Sequence, residues 1–224
     1  MNFKVQTIQV ALFIKDLNIA GYDKYALIGD LKEKVGSIFD AEPVVLPLPP
    51  NAPSDIPRVI LNNKEGSYNC NIALNRVDVF KNKPQSEEDL KVFLDDQKEK
   101  TIIVFDFLKE KHVVVNRVGF IVTSLVEIED KTGPEYLKEA FVASGKLDDP
   151  RELRMIYNKR ENDFNHLIKM TTKQDNKLLL QIDVNTIPEL MAEADFDGEK
   201  LESILNYAIE KIIKIQGSFP NFNI

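Results

Sequence analysis

Residues 87–128 read EEDLKVFLDDQKEKTIIVFDFLKEKHVVVNRVGFIVTSLVEI, and the change of rhythm inside this stretch decides the fold. Leu90, Phe93, Leu94, Thr101, Val104, Phe105 and Leu108 fall on one helical stripe, so a long helix is expected over about 87–109 with that stripe against a sheet. From His112 to Ile128 the spacing becomes that of a long apolar strand. A helix that ends and a strand that opens within a few residues mark a seam near Lys111.

The chain on either side of the seam has the same order of elements. In the first half, residues 3–15 alternate with Phe3 and Val5 on one face, then Ile8, Val10, Leu12 and Ile14, a phase change that predicts a bulge near Gln6 and Thr7. Leu27 or Ile28, Leu31, Val35 and Ile38 predict a helix over 24–39. Six of the eleven prolines lie between Pro43 and Pro57, which rules out a central strand and predicts an extended strap. Strands follow over 58–62 and 67–80, joined by a turn at 63–66, with a second phase change near Asn75 and Arg76 read as another bulge. Ser86 followed by Asp89 resembles a capping box for the long helix.

In the second half, Pro134 starts a short helix that turns Leu137, Phe141 and Val142 inward. Strands are expected over 152–159, 164–172 and 177–185, with turns at 161–163 and 175–176. A final helix over 198–215 is capped by Asp197 and carries Leu201, Ile204, Leu205, Ala208, Ile212 and Ile215 on one face. The expected fold class is therefore α+β: two strand, helix, antiparallel strands, long helix units over 1–110 and 111–224, closely packed, with helices on antiparallel sheet. The order of elements is similar to TBP-like and helix-grip arrangements, a likeness of architecture from which no function follows.

Three segments resemble a sporadically distributed prokaryotic family of uncharacterised proteins: the hairpin from Arg58–Leu61 through Asn71–Phe80, the strand segment Val115–Phe120, and Leu178–Val184 with the terminal helix. Where that family tends to continue the second segment with Arg-Tyr and Asn, this chain has Ile121–Ser124. The resemblance implies no cofactor and no catalytic residue.

Composition narrows the function classes. The chain has 224 residues and 43% hydrophobic residues, enough for a substantial core without disulfide or metal. Its single cysteine, Cys70, suits a reducing compartment, and the interleaved polar residues of the first fifteen positions do not form a signal peptide, so a cytoplasmic location is expected, with no membrane span. A formal charge of −7 disfavours nucleic acid as a partner. Basic residues such as Lys109, Lys111, Arg117, Lys159 and Arg160 are interleaved with acids and read as solvated surface.

No catalytic, cofactor or metal site is expected. His112 and His166 are far apart in sequence, with His166 on the core-facing side of its strand, and Cys70 sits on an apolar strand face as a buried, inert thiol. Asp95 with Asp96, Asp148 with Asp149, and Asp195 with Asp197 read as solvated or capping carboxylates, and the nine glycines form no phosphate loop. Asn75-Arg76-Val77 repeats as Asn116-Arg117-Val118, but at different points of the two halves, and reads as coincidence.

The leading functional expectation is a non-enzymatic interaction protein, accessory, regulatory or antitoxin-like, with a protein partner or a second copy as a homodimer. The two long strands opening the halves, from Phe3 and from His112, are expected to have at least one edge covered by the other half or by another subunit. The alternative is a small-molecule binder with a cavity between sheet and long helix near Tyr68, Ile72, Phe93, Leu94 and Val104. An enzyme of unrecognised type comes third.

Overall fold

A computed structural model describes residues 2–15, 24–49, 51–82, 89–142, 150–174 and 176–219, with the side chains of 2, 24–28 and 174 left aside. Strand β1 (Asn2–Lys15) is followed by helix α1 (Lys24–Val35), a two-residue strand β2 (Val44–Val45), then β3 (Val59–Asn62), β4 (Tyr68–Ile72), β5 (Arg76–Asn82) and the long helix α2 (Leu90–Glu110). The second half runs β6 (Val114–Glu127), α3 (Gly133–Phe141), β7 (Arg154–Glu161), β8 (Phe164–Gln174), β9 (Lys177–Thr186), the short α4 (Pro188–Met191) and α5 (Gly198–Gly217). The chain is an α+β protein.

All nine strands join one antiparallel sheet in the order β2-β3-β4-β5-β1-β6-β9-β8-β7. The long strands that open the halves pair with each other along most of their length, Asn2 opposite Glu127 through Lys15 opposite Val114. Each therefore covers the other's edge and both are central. The sheet ends instead at β2 and β7.

Local chemistry explains most boundaries. The ladder between β1 and β6 slips between Val5 and Thr7, leaving Gln6 as the extra residue, where the alternation changes phase. The phase change near Asn75 is a chain reversal and not a bulge: Ala73 N–H donates to the Arg76 carbonyl at 2.9 Å, closing a tight turn, and β4 pairs antiparallel with β5. Both events swap the inward-facing parity, so alternation alone could not tell them apart. Helix α1 stops at Val35, short of Phe39, before Gly36, while Ile38 and Phe39 remain buried in the following turn.

The cap of α2 is Asp89, whose carboxylate accepts from Lys91 N at 2.9 Å. Ser86 lies outside the described residues, as do Asp148, Asp149 and Asp175. Helix α3 has a full capping box between Thr132 and Glu135, and Asp197 caps α5 by accepting from Lys200 N at 2.8 Å. The proline-rich strap contributes only the edge strand β2, with Val44 and Val45 exposed. It is tied by Arg58, which donates to the carbonyls of Ala52, Pro53 and Ile56.

The helices lie on one face of the sheet. Ile8, Val10, Leu12, Phe120, Ile182 and Val79 point toward them with exposures of 0 or 1%, and they pack with Leu94, Val104 and Phe105 of α2 and Leu201, Leu205 and Ile212 of α5 in one core. Within α2 the buried Gln97 donates from its amide nitrogen to the Val79 carbonyl at 2.8 Å, tying the stripe to the sheet it faces, while its Oε1 is buried without a partner. The other face of the sheet holds the alternate residues of every strand, most of them half-buried.

Candidate functional site

The five residues of the expected cavity belong to the core on the helix side or pack against it. Ile72, Phe93, Leu94 and Val104 are buried members of the core, and Tyr68 packs against it. Around Tyr68 the arrangement is polar at its rim. The Tyr68 hydroxyl donates to Asp96, Lys81 Nζ lies 2.6 Å from the same carboxylate, and that ammonium sits 4.7 Å from the centre of the Phe93 ring. Burial raises the Asp96 carboxyl, but the Lys81 and Tyr68 hydrogen bonds outweigh it and leave the group below its ordinary range. The effect is to pin α2 to β4 and β5. A groove of about 350 Å³ lies between α1 and the end of α2, lined by Asp30, Glu33, Lys34, Phe107, Glu110 and Lys111.

The histidines stay apart. His112 takes a positive φ of 56° at the junction of α2 and β6, while His166 is fully buried on β8. His166 Nε2 lies 3.2 Å from the Tyr207 hydroxyl, whose ring stacks on Phe164 at 4.1 Å between centroids. Glu161 takes a hydrogen bond from Lys211, and this pairing pulls its carboxyl down to about 2. Burial pushes the His166 imidazole below its ordinary value, partly offset by Glu161. The cluster seals the sheet against α5. Cys70 is fully buried, and burial drives its thiol far above the ordinary range, the setting of an unreactive sulfur. Among the described residues no group of three or more His, Cys, Asp or Glu side chains is placed to hold a metal ion.

Buried polar atoms without a partner occur on the helix side, at Gln97 Oε1, Ser124 Oγ and His166 Nδ1, and one belonging to a charged group, Arg117 Nε, lies on the open face. Phe13 of β1 is opposite Arg76 of β5 on one side and opposite Arg117 of β6 on the other. The two Asn-Arg-Val segments thus occupy equivalent places about β1, and their repetition is positional after all. The Arg117 guanidinium carbon sits 3.5 Å from the Phe13 ring centre and that of Arg76 5.9 Å from it.

Arg76 is satisfied. Its Nε donates to Asp78 at 2.8 Å, and Gln9 donates to the other oxygen of the same carboxylate at 2.9 Å, so Asp78 tolerates an exposure of only 3%. Arg117 is not. Its Nε is buried without a hydrogen-bond partner, and among the described residues no carboxylate comes within ion-pair distance. Burial lowers its pKa and the field of Asp183 raises it. The side chain stays cationic, because a guanidinium does not give up its proton at neutral pH.

Asp183 has complementary needs. It accepts one hydrogen bond, from Asn185 Nδ2 at 3.0 Å, and burial pushes its carboxyl above the ordinary range despite that bond and the charge of Arg117. Between these groups the floor is low: Gly119 lies opposite Ala11 and Asn185, and a Cβ there would stand 3.5 Å from Asn185 Cβ and 3.9 Å from Asp183 Oδ1.

Register also reveals a charge pattern that interleaving along the chain conceals. On the half of the open face built by β6, β9, β8 and β7 stand Arg117, Arg154, Arg160, Lys169 and Lys177, against Asp183 and Glu127. Lys159 and Arg160 are neighbours in sequence yet point to opposite faces. A protein of formal charge −7 thus has a predominantly cationic open face.

No family model matches this chain, and no curated protein does. Among solved structures the chain is similar to Methanococcus jannaschii TBP, with 13% identity over 94% of this chain and 99% of that one and a TM-score of 0.34. A similarity of that size supports no argument about function. No helix among the described residues is long and apolar enough to cross a membrane.

Proposed function

We propose that this protein is a non-enzymatic interaction protein, an accessory or regulatory component that binds a protein partner through the open face of its sheet. The observation that carries the reading is Arg117: a guanidinium whose carbon lies 3.5 Å from the Phe13 ring centre, with its Nε buried and unpartnered and with Asp183 on the same face. A buried donor without an acceptor costs stability, and a partner that supplies the missing hydrogen bond recovers it on binding. A cytoplasmic setting goes with this reading, since the single thiol is sequestered in the core.

The test compares the wild-type chain with Arg117→Gln in pull-downs from the native host and in sedimentation over a range of concentrations. A partner or a second copy retained by the wild type and lost by Arg117→Gln, with melting not lowered, supports the reading. A wild-type chain that stays monomeric at high concentration and captures nothing discards it.

A further inference from the structure

Among the described residues strand β7 is the end of the sheet, hydrogen-bonded to β8 alone along Arg154–Glu161. Edge strands with free backbone groups template pairing with another chain unless they are blunted. This one has neither proline nor bulge. On its open-face side stand Arg154, Ile156, Asn158 and Arg160, and Ile156 is 60% exposed, the highest value among the exposed large apolar side chains. Directly across from Ile156 is Lys169. Neither Arg154 nor Lys169 makes an ion pair among the described residues, and Arg160 has only an exposed contact of 3.5 Å with Glu189, of a kind that contributes little. Tyr157, 39% exposed, adds an apolar surface on the opposite side of the strand.

We infer that β7 takes an extended acidic segment of a partner protein as a further strand, with carboxylates opposite Arg154 and Arg160 and an aliphatic side chain opposite Ile156. The inference rests on the interaction-protein reading and names the chemistry of the partner. Backbone hydrogen bonds would supply affinity and the alternate side chains specificity, as in other strand additions. Lys169, one strand further in, adds to the positive potential that draws the segment to the edge.

The pattern disfavours the two other occupants. A second copy pairing antiparallel through β7, with both helix layers on one side, has two nearly full-length registers. One centres on Tyr157 and opposes Arg154 to Arg160 twice, and the other centres on Asn158 and lays Ile156 against Arg160 twice. Like charges directly opposite destabilise a strand pair. Single-stranded nucleic acid is held by aromatic stacking platforms, and on the open face of β7, β8 and β9 the apolar side chains are the aliphatic Ile156, Leu167 and Leu179.

The probe is a fluorescein-labelled peptide, Glu-Thr-Thr-Thr-Val-Thr-Glu, which places its acids and its valine at the required alternate positions for antiparallel addition. The comparison probes are the same peptide with lysine for both acids and a single-stranded oligonucleotide. The expected result is anisotropy-detected binding of the acidic peptide at least about tenfold tighter than the lysine peptide, with new hydrogen-exchange protection confined to residues 154–161. Ile156→Asp should abolish it, and Arg154→Glu combined with Arg160→Glu should reverse the preference toward the lysine peptide. These positions are exposed, and unchanged melting curves verify the folds. Equal affinity for the two peptides, preference for the oligonucleotide, tighter self-association than peptide binding, or no binding up to about 1 mM overturns the inference. If the edge variants still retain a host partner that Arg117→Gln loses, the edge assignment fails while the open-face reading survives.

Discussion

Leu205→Ala tests the packing of the last helix against the sheet. Leu205 is 0% exposed on α5, on the stripe with Leu201, Ile204, Ala208 and Ile212 that packs into the core. The substitution removes three carbons. Transfer alone gives about 0.8 kcal/mol for each, roughly 2.4 kcal/mol together, and the cavity left behind brings the expected cost to about 3–5 kcal/mol. For a chain of this size each kcal/mol lowers Tm by about 2–4 °C, so a fall of at least about 6 °C is expected in a thermal melt followed by circular dichroism. Ser203→Ala, on the exposed side of the same helix, should stay within about 0.5 kcal/mol of wild type. If Leu205→Ala melts with the wild type while Ser203→Ala is destabilised, the helix has its faces the other way round.

Three further outcomes follow from buried or capping groups. Because burial lowers the His166 pKa, the unfolded chain holds that proton at higher pH than the folded one, so this residue's contribution is intact above the ordinary value of 6.5 and declines as pH falls through it. Stability measured from pH 7.5 to 5.5 should therefore slope less in His166→Phe, and an identical slope would show that His166 takes up its proton alike in the folded and unfolded chains. Cys70 should resist a thiol reagent in the native protein and react once denaturant is added, whereas rapid native labelling would place it outside the core. Thr132→Ala removes the capping box of α3 and should cost about 0.5–2 kcal/mol, with Thr132→Ser recovering most of it in denaturant titrations.

The local elements were legible wherever side-chain period and cap chemistry coincide. The bulge at Gln6, the cap at Asp197 and the burial of Cys70 and His166 all follow from alternation or spacing within a few residues. The turn at Leu74 and Asn75 was misread because a bulge and a reversal produce the same change of parity, and only the hydrogen bond from Ala73 to Arg76 separates them. The cation stack at Phe13 was in the sequence as two Asn-Arg-Val segments, but nothing local joins them.

By itself, then, the sequence determined the α+β class, most of the order of elements and the inward faces of the long helices and of β1, since these depend on periods of about 3.6 and 2 residues read over short windows. Tertiary structure decided that β1 and β6 pair at the centre of one sheet, that Arg76 and Arg117 converge on Phe13, and that the cations of the second half share its open face. The reason is that strand order and register are set by contacts between residues far apart in the chain. The side chains that meet across a ladder leave no mark in the spacing of either strand.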